Sequence, residues 1–187
     1  MALAALVLHA PIGCDGGPTA NEQMAVYAAQ AKTSRTSAAG AMIAAFKAGK
    51  ITAEDAINAS RDKLDAGEDA TDFAGAVLDM LQAVEVQLPQ GAEFEIFWMR
   101  IGQLACSAAL TANNNRRPDE ALSLVFAGPK RWQTEAYWQR SVNHDALASI
   151  ILDENGRRAE AISRLRERAD LDGPALDVYK KLTGGGN

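Results

Sequence analysis

The chain is predicted to be all-α, built from antiparallel helical hairpins stacked as a short array, and three observations lead there. Alanine runs through the whole chain while aromatics make up only 6% of it. Alanine joins the highest helix propensity to a side chain small enough for helices to approach closely. No stretch carries the polar/apolar alternation and β-branched enrichment of a strand, since Val84-Glu85-Val86 merely continues a helical pattern. Finally, Asn115-Arg116-Arg117-Pro118-Asp119-Glu120-Ala121-Leu122 and Asn155-Gly156-Arg157-Arg158-Ala159-Glu160-Ala161-Ile162 read alike forty residues apart. Each joins one helical pattern to the next, and fixed-period similarity marks folds that stack one supersecondary unit on another. The alternative is an irregular α-helical bundle in which the two seams share only helix-start chemistry.

Residues 1–20 are expected to be a leader and linker, 21–183 a single helical domain and 184–187 a disordered tail. The first helix is expected over Asn21–Lys32 with Met24, Ala28 and Ala31 inward. Ser37 is expected to cap a second, carrying Met42, Ile43 and Phe46 to a stop at Gly49. Thr52-Ala53-Glu54-Asp55 has capping-box spacing and opens a third through Ala56, Ile57, Ser60 and Leu64 to Gly67. Thr71 is expected to cap a fourth, whose Phe73, Val77, Met80, Leu81, Val84 and Leu88 recur at steps of three and four before Pro89.

A long helix from Ala92 to Asn113 is expected to bury Phe94, Phe97, Trp98, Ile101, Leu104 and Ala105. Pro118 suits a helix's first turn, where its missing donor costs nothing, so Pro118–Ala127 is the expected return, stopped by Gly128-Pro129. Another long helix is expected from Thr134 to Glu154 with Trp138, Val142, Ala146, Ser149 and Ile150 on its buried face. Gly156 ends it, Arg157–Ala169 returns with Ile162 and Leu165 inward, and Gly173-Pro174 introduces a last helix with Leu176, Tyr179 and Leu182.

The second seam followed by Leu165, Ala169, Leu171 and Asp172 resembles the second helix of a tetratricopeptide repeat, and the first seam with Val125 is similar. In that family a small residue at the positions of Ala121 and Ala161 lets paired helices cross closely. The resemblance implies facing small residues twelve positions earlier, where Ala109 and Ser149 stand, preceded by Ala108 and Ala148. This sequence departs from the pattern at Ala105 and Asp145, where the family has an aromatic, and at Gly128 and Arg168, where it has a small residue. The period of forty is also longer than the family's.

The apolar run from Ala2 to Gly13 is too short to span a bilayer, which takes about 20 residues, but has the length of a signal-peptide core. Gly13-Cys14 followed by a polar, glycine-rich stretch resembles the lipobox of bacterial lipoproteins, which implies lipidation of Cys14, export and a membrane tether at the cell envelope. Pro11 departs from the usual leucine, and no Lys or Arg precedes the run. Without processing, a cytoplasmic location is the alternative.

Net charge is −5, and residues 1–115 hold seven Lys/Arg against thirteen Asp/Glu while residues 116–187 hold twelve against eleven. A nucleic-acid partner needs a concentrated positive field, which neither part supplies, so none is expected. The arginines 157, 158, 164, 166 and 168 are expected to pair with neighbours such as Glu160, four positions before Arg164, on a solvated helix face.

Chemistry has little to work with. Only His9 and His144 are present, and adjacent His144 and Asp145 point about 100° apart on a helix with no nucleophile motif nearby. Cys106 reads as a small buried hydrophobe rather than a disulfide or metal partner for Cys14. Asp62, Asp65, Glu68, Asp69 and Asp72 lack the glycine-containing order of an EF-hand and read as solvated acidity. No enzyme activity, cofactor or metal is therefore expected. The favoured function is a tethered scaffold for a protein or peptide, with Trp132, Tyr137 and Arg140 as a candidate partner surface. The alternative is a small-molecule or enzyme-accessory domain with a pocket between helices 92–113 and 134–154, built by Trp98 and Trp138.

Overall fold

The computed structural model describes residues 18–131, 144–167 and 173–184. Cys14, Trp132, Tyr137, Trp138, Arg140 and the tail beyond Gly184 lie outside these residues. All the regular structure described is helical: α1 (Ala20–Ala31), α2 (Arg35–Lys47), α3 (Ala53–Asp65), α4 (Thr71–Ala83), α5 (Glu95–Asn114), α6 (Pro118–Val125), α7 (His144–Glu154), α8 (Arg158–Arg166) and α9 (Gly173–Thr183). Two short 3₁₀ turns, Glu85–Gln87 and Ala92–Phe94, lead from α4 into α5.

Local chemistry sets most of the boundaries. Thr19 and Glu22 form a full capping box at α1, and Thr52 and Asp55 form another at α3, so the shorter Asp55 serves in place of Glu. Ser34, not Ser37, caps α2: the Ser34 Oγ accepts from the Ser37 backbone N–H at 3.2 Å, which makes Ser37 the capped residue. Thr71 likewise stands inside the first turn of α4 instead of capping it, and its hydroxyl donates to Asp69 at 3.0 Å.

Four helices end in the same paired bonds. After α2 and α3, Gly49 and Gly67 sit at positive φ, and the following N–H reaches back five residues, from Lys50 to Ala45 and from Glu68 to Lys63. The two seams repeat this geometry. Arg117 N–H bonds to Ala112 and Arg157 N–H to Leu152, with Arg116 (φ 60°) and Gly156 (φ 76°) at the equivalent left-handed position. The forty-residue likeness therefore extends from letters to backbone conformation.

Successive helices fold back on one another and then pack on the next pair. α5 lies against α6 and α7 against α8, while α5 also touches both α3 and α4, α7 both α6 and α5, and α9 both α8 and α7. α2 breaks the pattern by packing mainly on α4. Arg35 at the start of α2 fixes that contact with two parallel bonds to Asp79, each 2.7 Å long. Gly75 leaves room for it, since a Cβ there would sit 2.7 Å from the guanidinium carbon.

One apolar cluster runs continuously from Met24 in α1 to Ile151 in α7. A second joins Ala146, Leu152, Ala161, Leu165, Ala175 and Leu182, and half-buried Leu122 packs on both. α7 thus buries two faces, Ala148 and Ile151 toward the first cluster, Ala146 and Leu152 toward the second. Ile150 falls between them and is 38% exposed, contrary to its expected inward position. Phe94, also expected inward, is 37% exposed because the 3₁₀ turn before α5 takes it out of register with Phe97 and Trp98.

Candidate interaction surface

The residues picked out for hairpin packing all lie in the interior. Ala108 and Ala109 of α5, Ala121 of α6, Ala148 and Ser149 of α7 and Ala161 of α8 are all fully buried. Ser149 Oγ donates to the Ala161 carbonyl at 3.4 Å, which brings these two residues together across the second hairpin and satisfies the hydroxyl. In the first hairpin Ala109 occupies the same place without a polar atom to satisfy.

The seams are linked to each other by charge. Arg117 meets Asp69 in the α3–α4 turn at 2.5 Å and Glu120 at 2.9 Å, while Arg157 meets Asp119 in the previous seam and Glu160 in its own, both at 2.8 Å. Each seam arginine thus ties its own helix start to the turn before it. Burial alone would raise the Asp69 pKa, but the Thr71 hydroxyl and the Arg117 guanidinium outweigh it and hold the carboxyl below its ordinary value. The hydrogen bond from Arg157 holds Glu160 below its usual range in the same way.

Arg164 does not pair with Glu160. It bonds Asp145 on α7 at 3.1 Å and lies over the Phe126 ring at 4.3 Å, so it bridges three elements. Asp145, standing where the family resemblance implies an aromatic, is held by this cation. His144 packs edge-on against Phe126 at 5.3 Å and lies 3.7 Å from the Asp145 carboxylate. Its environment is a packed junction of α6, α7 and α8.

A ladder of polar side chains links the first helices of successive pairs. Arg100 on α5 bonds Asn58 on α3, and Arg61 reaches Gln103 one turn further on. On the other flank of α5, Asn113 donates to Glu154 and accepts from Asn155, both at 2.8 Å. Leu110 stands seven residues after Gln103 and three before Asn113, so it shares their face of α5. It is 45% exposed, and Ile150, forty positions on, is its counterpart on α7. Neither was singled out from sequence as a surface residue, although the forty-residue offset between the two seams aligns Leu110 with Ile150.

No catalytic arrangement emerges among the described residues. Cys106 is buried, and burial pushes its thiol up to about 12, which leaves it protonated and unreactive at neutral pH. Among the described residues no group of three or more His, Cys, Asp or Glu could hold a metal ion, and no helix is long and apolar enough to cross a membrane. A cavity of about 270 Å³ lies between α1 and the α3–α4 turn, with Phe73, Ala25, Ala28, Ala29 and Ala70 in its wall. Two of the carboxylates at its rim are already taken, Glu68 by Lys63 and Asp69 by Arg117. No family model matches the chain, nor does any curated protein or solved structure.

Proposed function

We propose that this protein is a non-enzymatic scaffold, a short tetratricopeptide-like array that holds an extended protein or peptide segment along the face shared by α3, α5 and α7. The observation that carries this reading is the pair of apolar residues, Leu110 and Ile150, left exposed at equivalent positions beside a continuous polar ladder. Apolar anchors flanked by amides suit an extended chain, whose side chains seek pockets while its backbone seeks donors and acceptors. Trp132, Tyr137 and Arg140, the candidates taken from the sequence, lie outside the described residues and are not part of this face. The lipobox-like Gly13-Cys14 supports a tether at the cell envelope, which brings the face to partners held near a membrane.

The test is a selection of peptides from a random displayed library on the full chain, followed by titration of the selected peptide. Leu110→Asp together with Ile150→Asp is expected to weaken binding at least tenfold while Val86→Asp, at an exposed position away from this face, leaves it unchanged. Equal affinity in all three proteins would overturn the assignment of the face. Mass spectrometry of protein made in a bacterium with its own leader tests the tether separately: an acylated Cys14 is expected, and an unmodified one removes it.

A further inference from the structure

Arginines that join one element to another in this fold mostly do so through a carboxylate: Arg35 meets Asp79, Arg117 meets Asp69, Arg157 meets Asp119 and Arg164 meets Asp145. Arg61 on α3 and Arg100 on α5 do not. Arg61 donates to the Gln103 amide oxygen at 3.5 Å and Arg100 to that of Asn58, so the two helices exchange one bond each way through neutral groups. Both arginines are half-buried, and among the described residues neither forms an ion pair, although residues 1–115 hold thirteen Asp/Glu against seven Lys/Arg. We propose that the two guanidiniums are the polar subsite of the face shared by α3, α5 and α7, and take a side-chain carboxylate, Asp or Glu, from the bound segment.

The inference deepens the scaffold reading and rests on it. Position puts the arginines where a partner must pass. Ile96, Arg100, Gln103, Ser107 and Leu110 follow one another at steps of four and three, which is one face of a helix, and from Ile101 to Ala109 every residue off that strip is buried. The strip is therefore the outlet of α5 to solvent, cationic in the middle and apolar at its ends, where Ile96 is 69% and Leu110 45% exposed. Chemistry selects the ligand. Each guanidinium gives one bond to an amide, which fixes its plane and leaves its remaining N–H donors for an acceptor. A carboxylate matches that fork with two parallel charge-assisted bonds, and partial burial strengthens the attraction over that of an open surface pair. Spacing then constrains the segment. Gln103 and Arg100 lie about 10 and 15 Å along the helix from Leu110, so an extended occupant carries its acidic residue about three to five positions from the apolar residue seated at Leu110.

The test takes a peptide selected on the full chain from a random displayed library and remakes it with an amidated C-terminus, so that only a side chain can supply the carboxylate. Exchanging its Asp or Glu for Asn or Gln is expected to weaken binding to the native chain at least tenfold, and to the Arg61→Gln/Arg100→Gln chain no more than about twofold. Lys47→Gln/Lys50→Gln removes the same charge from exposed positions on α2 and is expected to keep the tenfold difference. The urea midpoint of the arginine variant is expected to match that of the native chain, because no ion pair within the fold is lost. An acid-to-amide difference that survives in the arginine variant would overturn the proposal, as would selected peptides that lack an acidic residue or tolerate its exchange on the native chain. Such peptides, if still weakened by Leu110→Asp with Ile150→Asp, would leave the scaffold reading standing. Peptides indifferent to that pair of changes would remove both.

Discussion

Arg116 and Gly156 hold the same left-handed position in two copies of one turn, and the difference between them is a measurable cost. A non-glycine residue there opposes its Cβ to the following carbonyl, by roughly 1–2 kcal/mol, of which glycine's extra unfolded-state freedom returns part. Arg116→Gly is therefore expected to raise stability by about 0.5–1 kcal/mol in urea unfolding, and Gly156→Arg to lower it by a similar amount. A Cβ at Gly156 meets nothing within 4 Å, so the second change isolates the backbone term. The seam carboxylates give a pH dependence of known sign. Asp69 has its pKa lowered in the folded chain, so the stability it contributes is present above the ordinary carboxylate pKa and is lost as pH falls through its lowered value. Arg117→Gln is expected to cost roughly 0.2–1 kcal/mol at pH 7 and less at pH 2, measured by denaturant unfolding at each pH, because Asp69 is half-exposed and screened. A cost that grew on acidification would contradict the pairing.

At the scale of the element, the hairpins depend on residues that can be enclosed completely. Ala161 is fully buried where α8 crosses α7, and Ala159, two positions away, is exposed. Ala161→Leu is expected to destabilise by roughly 1–3 kcal/mol through overpacking, whereas Ala159→Leu stays within about 0.5 kcal/mol in thermal or urea unfolding. Similar effects at the two positions would mean that α7 and α8 do not nest there. Helix α3 was legible in the sequence because a capping box, a glycine stop and a periodic stripe agreed. The boundaries that moved are those where one signal stood alone. Ser37 has the right side chain to cap α2, but Ser34 is three residues ahead and places the turn earlier. Thr71 looks like a cap and is instead the first helical residue, held by Asp69. Ile150 was misread because α7 buries two faces, and a helix enclosed on both sides loses the single stripe that periodicity detects.

For the whole molecule, the arrangement that matters is the continuity of the apolar cluster from α1 to α7. The tetratricopeptide resemblance implied Ala108, Ala109, Ala121 and Ala148 as packing residues, and all four lie inside that cluster. Sequence could not locate the polar ladder, because Asn58, Arg61, Arg100 and Gln103 carry no periodic signature and meet only when α3 and α5 are side by side. Continuity is tested most directly by following unfolding in the Trp132→Phe/Trp138→Phe chain, where fully enclosed Trp98 reports the first cluster by fluorescence and circular dichroism reports all helices. The two signals are expected to share one urea midpoint. A Trp98 transition clearly separated from loss of the remaining helix would contradict a continuous stack.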